Sequence, residues 1–158
     1  MAVRDSDRIP NGQAKERFVK NLFTAIAPTY DAMNVVMTGG FIYLWHRAFR
    51  RHTGLGPGSR ALDVCTGTGD LAAILAHQVG PKGHVVGLDL TPGMLDLARI
   101  KLERRGLLDR VDLVEGNALA LPCADASFDA SSMGFALRNV SDIAGAVREM
   151  ARVVRPGG

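Results

Sequence analysis

A chain of 158 residues is most simply one domain, able to remove about 70% of its extended surface from water on folding and so to own a core. Its residues are 47% apolar and 22% charged, no run approaches the roughly 18 apolar residues of a membrane span, and the polar N-terminus lacks a secretory signal, so a cytoplasmic location is expected. The net charge of +3 is uneven, nine Lys/Arg against four Asp/Glu in residues 1–60 and ten against twelve thereafter; without a dense basic block interleaved with aromatics this reads as a solvated face, not a nucleic-acid site, with a membrane surface as the lesser alternative.

The first dozen residues read as a polar arm. AKERFVKNLFTAIA then sets Ala14, Phe18, Leu22, Phe23 and Ile26 on one helical stripe that ends near Pro28. The segment 27–40, APTYDAMNVVMTGG, is too polar for core and is assigned no element; a second helix runs through YLWHRAFRR, and 54–59 is a Gly/Pro connector. From Arg60 strands and helices alternate: RALDVC, a helix Asp70–Val79, HVVGLD, a helix opening at Pro92 after Thr91 and stopping at Gly106, RVDLVEG, a weaker strand Ser127–Met133, and a helix from Asp142 to Val153 behind Ser141 as its cap. The pattern predicts an α/β, doubly wound parallel sheet with its first four strands, preceded by an N-terminal helical segment. Residues 1–58 form an arm and helical cap, and 59–158 a cofactor-binding domain. RPGG at the end normally leads into a further strand, so the sheet is expected to stop incomplete at its fourth member, with an edge open to association.

The stretch ALDVCTGTGD, 61–70, carries the chemistry. At the end of the first strand its glycines permit left-handed backbone and close ligand approach, and the following helix offers free N–H groups. Gly67-x-Gly69-x-x-Ala72 with Asp89 some twenty residues on fits a dinucleotide fingerprint, so an NAD-dependent oxidoreductase is weighed first. A pyrophosphate here would meet the carboxylates of Asp63 and Asp70, a repulsion of several kcal/mol in a desolvated notch. A cationic cofactor with a ribose for Asp89, S-adenosylmethionine, removes that conflict. Asn117, ending the third strand, and the Ala118 amide suit adenine, although Asn117 alone is equally a turn residue capping its own backbone. Cys65 and Cys123 lack metal or redox spacing and read as packed thiols; His46, His52, His77 and His84 lack ligand spacing, and no metal is proposed.

ALDVCTGTGD, APTYDAMNVVMTGGFIYLW, EGNALALP and GFALRNVSD resemble, in order and spacing, the ubiquinone/menaquinone biosynthesis C-methyltransferases. The resemblance runs from about Phe18 to Gly158, and YDAMN and FALRNVSD are its specific parts. It implies the Rossmann-like fold of class I S-adenosylmethionine-dependent methyltransferases, and methylation of a ring carbon of demethylmenaquinol or a related polyprenyl benzoquinol. The match makes Thr68, Asp89, Asn117 and Ala118 cofactor positions; Asp63, Thr66, Gly67, Gly69 and Asp70 complete the expected set. Family members continue for several more strands, so a catalytically incomplete cofactor-binding chain, or an assembly partner in quinone synthesis, is the alternative reading. Cys65 stands where the wider methyltransferase motif has glycine. Ring methylation needs a phenolic proton removed. Arg138 is expected to stabilise the phenolate, Asn139 to orient a water or the ring oxygen, and Asp31 to act as base, with Tyr30 and Asn34 orienting the acceptor; the competing readings are an Arg138–Asp142 ion pair and Asp31 as a turn cap. Trp45 with Arg47, Arg50 and Arg51 suits a peripheral bilayer contact, against a plain amphipathic helix, and a homodimer stays open.

Overall fold

The computed structural model describes residues 12–158, so the expected polar arm lies almost wholly outside the described residues. The strands β1 (Arg60–Val64), β2 (His84–Asp89), β3 (Val111–Glu115) and β4 (Ala130–Ser132) form one parallel sheet in the order β3-β2-β1-β4. β1 is central and buried over Ala61–Val64, and its two faces divide by the strand period of two. Ala61 joins a core with Ala72, Leu75 and Val79 of the helix α4 (Asp70–Val79) and Leu102 of α5 (Pro92–Arg104). Leu62 and Val64 point the other way, into a core closed by Ala146 and Val153 of α6 (Ile143–Val153). Parallel neighbours need crossovers, and α4 and α5 supply them on one face while α6 covers part of the other.

Helices precede the sheet. α1 (Gly12–Ile26) packs along α5, and α3 (Ile42–His52) lies on α4, with Phe49 and Leu55 adding to the α4 core. Between them the segment left without an element contains a 3-10 turn, Ala27–Thr29, running into a helix α2 (Tyr30–Met37). No residue of α2 is fully buried; polar contacts from Asp31, described below, anchor the helix.

Two boundaries differ from expectation. α6 is capped by Asp142, in extended backbone with its carboxylate accepting from the Gly145 amide at 2.9 Å, whereas Ser141 gives its hydroxyl to Glu16. β4 is three residues long because the amides of Ser127 and Phe128 donate to the Val153 carbonyl at the end of α6, outside the sheet.

Candidate functional site

After β3 the chain crosses to the far side of β1, so strand order reverses between β1 and β4, the position where open α/β sheets hold ligands. The turn Cys65–Gly69 sits there, between β1 and α4, held by carboxylates from two strands. Asp63 accepts from the Thr66 hydroxyl at 2.6 Å and the Ser132 hydroxyl at 2.7 Å. Asp89 accepts from the amides of Gly67 at 2.8 Å and Thr91 at 2.9 Å. Gly69 takes φ +81° to turn the chain into α4, and Cys65, not a glycine, takes φ +56°. The wider motif's glycine at this position would hold that conformation without strain.

Burial sets the electrostatics. Asp63 is pushed up to about 6, chiefly by loss of solvation, against the opposing pull of its hydroxyl partners. Asp89 is raised too, again mainly by burial. Neither carboxylate pairs with a basic side chain among the described residues. The same burial, with Asp89 and Asp63 nearby, pushes the Cys65 thiol up to about 12, so it is a neutral packing group at physiological pH and no nucleophile. A carboxylate whose folded-state pKa lies above its unfolded value of 3.8 binds its proton more tightly in the folded protein, so the stability it contributes is lost as pH rises from about 3.8 to about 6 and changes no further above that. Between pH 4 and pH 7 the native chain is expected to lose about 2 kcal/mol of stability in urea unfolding relative to an Asp63→Asn variant, whose side chain does not titrate.

Two adjoining cavities open at these strand ends. The larger is walled by Asp89, Leu90, Met94, Asn117, Ala118 and Asn139, with Glu16 and Phe23 from α1. The second is lined by Asn34, His46, Asp63, Thr66, Thr68 and Asp70. Tyr30, Cys65, Gly67, Gly134 and Phe135 border both, so the two adjoin at the glycine turn. Tyr30 is set by an edge-on contact with Phe23, ring centroids 5.7 Å apart, and Phe135 by a tilted stack on Trp45 at 5.3 Å.

Most of the expected residues converge here; three stand differently from the roles anticipated. Asp70 bonds Lys101 at 3.0 Å and Arg105 at 3.4 Å, so its charge is already compensated, and the buried acids facing the notch without a cation among the described residues are Asp63 and Asp89. Asp31 neither caps α2 nor lines either cavity: its oxygens accept from the Thr68 hydroxyl and the Lys101 ammonium, both at 2.6 Å. Arg138 is exposed beside the cavity that Asn139 lines; its side chain makes no hydrogen bond or ion pair among the described residues, and Asp142 pairs with Arg148 instead. Asn117 does cap its own turn, accepting from the Leu119 amide at 2.9 Å, and also donates to Glu16 at 3.2 Å. Among the described residues no group of three or more His, Cys, Asp or Glu is arranged to hold a metal ion.

Sequence reasoning missed two residues. Glu16 reaches from α1 to Asn117 and Ser141, while its neighbour Lys15 donates to the Val140 carbonyl at 2.8 Å, together closing α1 over the larger cavity. Lys101, on α5, joins Asp31, Thr68 and Asp70. Neither carries a local signal, because Glu16 reads as the polar face of an amphipathic helix and Lys101 as a cation near a helix C-terminus.

A parallel sheet with this order, a glycine turn after its first strand and an acid ending its second define a Rossmann-like domain of the class I methyltransferase kind. Solved structures of that fold align well. An S-adenosylmethionine-dependent methyltransferase from Aquifex aeolicus is 29% identical with TM-score 0.64, covering 70% of this chain and 58% of that one. The [4+2]-cyclase SpnF superposes with TM-score 0.75 at 25% identity over 94% of this chain and 58% of its own. The chain belongs to the ubiE/COQ5 methyltransferase family, whose sequence profile matches residues 11–158. It is 44% identical over 149 residues to the demethylmenaquinone methyltransferase of Symbiobacterium thermophilum, covering 94% of this chain and 59% of that protein.

Proposed function

We propose that this chain binds S-adenosylmethionine and serves the C-methylation of a polyprenyl quinol ring, with demethylmenaquinol as the acceptor. The observation that carries the reading is the pair of buried carboxylates, Asp63 and Asp89, which line the two cavities without a basic partner among the described residues. A cationic ligand relieves that burden and a pyrophosphate aggravates it. Calorimetry tests this directly: S-adenosylmethionine binds and NADH does not, and the reverse result defeats the reading.

The residues present suit that cofactor. Asp89 keeps acceptor capacity for ribose hydroxyls beyond its two amide bonds. For adenine, no hydrogen bond among the described residues uses the Ala118 amide, and Asn117 Oδ1 with the Glu16 carboxylate offers acceptors to an exocyclic amine. When bound, the cofactor supplies a methyl group activated by a sulfonium. The chain's own contribution is alignment. Tyr30 and Asn34 line the cavity that also holds Asp63 and are the groups to orient the acceptor ring. Asn139 stands where it can hold a water or ring oxygen, and Arg138 beside it can stabilise a developing phenolate. Asp31, with both oxygens engaged, is given a holding role and not that of base.

The chain spans about 59% of the length of the curated relative above, which favours keeping a second reading, a cofactor-binding partner without turnover of its own. Labelled methyl transfer to a demethylmenaquinol analogue decides between them, since a partner binds cofactor and forms no product. A lipid-tailed acceptor also gives meaning to the surface of α2 and α3. Val36, Met37, Phe41, Tyr43, Leu44 and Trp45 are all exposed. The sequence between Asp31 and Asp63 contains four arginines and no carboxylate. No helix among the described residues is long and apolar enough to cross a membrane, so the contact proposed is peripheral, through aromatic and basic groups at an anionic bilayer surface. Vesicles containing anionic lipid are expected to sediment the chain, and neutral vesicles to do so weakly; equal failure with both rules the contact out.

A further inference from the structure

We infer that Lys101 is a positioning residue that locks α2 onto the glycine turn and so fixes Tyr30 and Asn34 over the ligand cavity. This deepens the methyltransferase reading and rests on it for the meaning of the cavity, though not for the lock itself. The Lys101 ammonium lies 2.6 Å from Asp31, 3.0 Å from Asp70 and 3.0 Å from the Thr68 hydroxyl, which in turn donates to Asp31 at 2.6 Å. Three separate parts of the chain meet at one cation: the first turn of α2, the turn leading into α4, and α5. The lysine side chain is only 17% exposed, against 46% for Asp31. An isolated surface pair is worth little, but a shielded ammonium shared by three acceptors holds its geometry far better than a single exposed contact.

Helical spacing explains what the lock does. Tyr30 and Asn34 are four residues apart on one face of α2, and both line the cavity beside the glycine turn. Asp31 projects about 100° round the helix from Tyr30, toward α5. Holding Asp31 therefore fixes the rotation of a helix that has no fully buried residue of its own. Without the ammonium, Asp31 keeps only the Thr68 hydroxyl and has no cation among the described residues, because Arg105 reaches Asp70 alone.

The test is a double-mutant cycle on the whole chain with two readouts. Chymotrypsin cleavage at Tyr30 and Phe41, followed by mass spectrometry without ligand, is expected to accelerate about tenfold in Lys101→Met. S-adenosylhomocysteine affinity, by calorimetry, is expected to fall five- to tenfold. Lys101→Arg restores most of both, and Lys101→Met adds less than twofold in an Asp31→Asn background. Unchanged cleavage in Lys101→Met, no rescue by arginine, or a full additional loss in the Asp31→Asn background overturns the inference. Lys101→Gln replaces Lys101→Met if the latter unfolds, as judged by circular dichroism. Should the native chain fail to bind S-adenosylhomocysteine, the methyltransferase reading falls, and the cleavage cycle alone still decides the lock.

Discussion

Asp89→Ala is expected to lower affinity for S-adenosylhomocysteine at least a hundredfold, as measured by calorimetry at pH 7. The carboxylate stands at the end of β2, in the wall of the larger cavity, and a hydrogen bond to a charged group contributes about 1.5–3 kcal/mol. Two ribose hydroxyls given to one carboxylate would therefore account for about 3–6 kcal/mol, a hundredfold or more. The substitution also strands two amides, those of Gly67 and Thr91, which donate to the same side chain. Asp89→Asn separates the two effects: its amide can accept from one backbone N–H but opposes the other with its own NH2. Asn at this position should show intermediate stability and nearly the same loss of ligand. Binding within tenfold of the native chain in both variants would remove Asp89 from the site.

What could be read from the sequence was what is local in it. The strand β2 and the helix α4 fall on the residues their patterns marked, because the apolar run HVVGLD lies between Gly83 and Thr91-Pro92 and the helical stripe from Asp70 between Gly69 and Gly80. The turn and its acids were equally legible, since Asp63, Gly67, Gly69 and Asp70 lie within eight residues and Asp89 ends the next strand. The helix α2 was not, because YDAMNVVM buries none of its residues fully and is fixed by Lys101, seventy residues away. The charge state of the notch was partly misread for the same reason. Spacing shows that Asp70 exists near the turn, but only the packing of α5 on the sheet reveals that Lys101 and Arg105 neutralise it. The charge argument survives in narrower form, resting on Asp63 and Asp89, whose raised pKa values reflect burial without a cation. Glu16 was likewise invisible, being placed at the cavity by a contact to Asn117 across 101 residues of chain.

The two glycines of the turn are expected to fail in opposite ways when each is replaced by alanine, and the contrast tests whether the turn is a structural joint, a ligand contact, or both. A Cβ at Gly69 would lie 3.1 Å from the Cβ and 3.5 Å from the Cα of Ala98, a buried residue of α5 whose atoms cannot rotate aside. Either α4 or α5 must move. The left-handed backbone at φ +81° adds its own strain, roughly 1–2 kcal/mol. With an overpacking cost of about 1–3 kcal/mol, Gly69→Ala should lose about 2–5 kcal/mol, read as a lower urea midpoint at unchanged slope. Gly67, at φ +55°, has nothing within 4 Å of its would-be Cβ, so Gly67→Ala should cost only the conformational strain, about 1–2 kcal/mol. Gly67 nevertheless borders both cavities, and a methyl group there intrudes on any ligand lying against the backbone. Gly67→Ala should therefore remain folded and lose most of its affinity for S-adenosylhomocysteine, whereas in Gly69→Ala the binding that survives at low temperature should track the folded fraction. If the two variants instead lose stability and affinity in equal proportion, the ligand does not approach the turn at Gly67, and the glycine pattern serves only to pack α4 against α5.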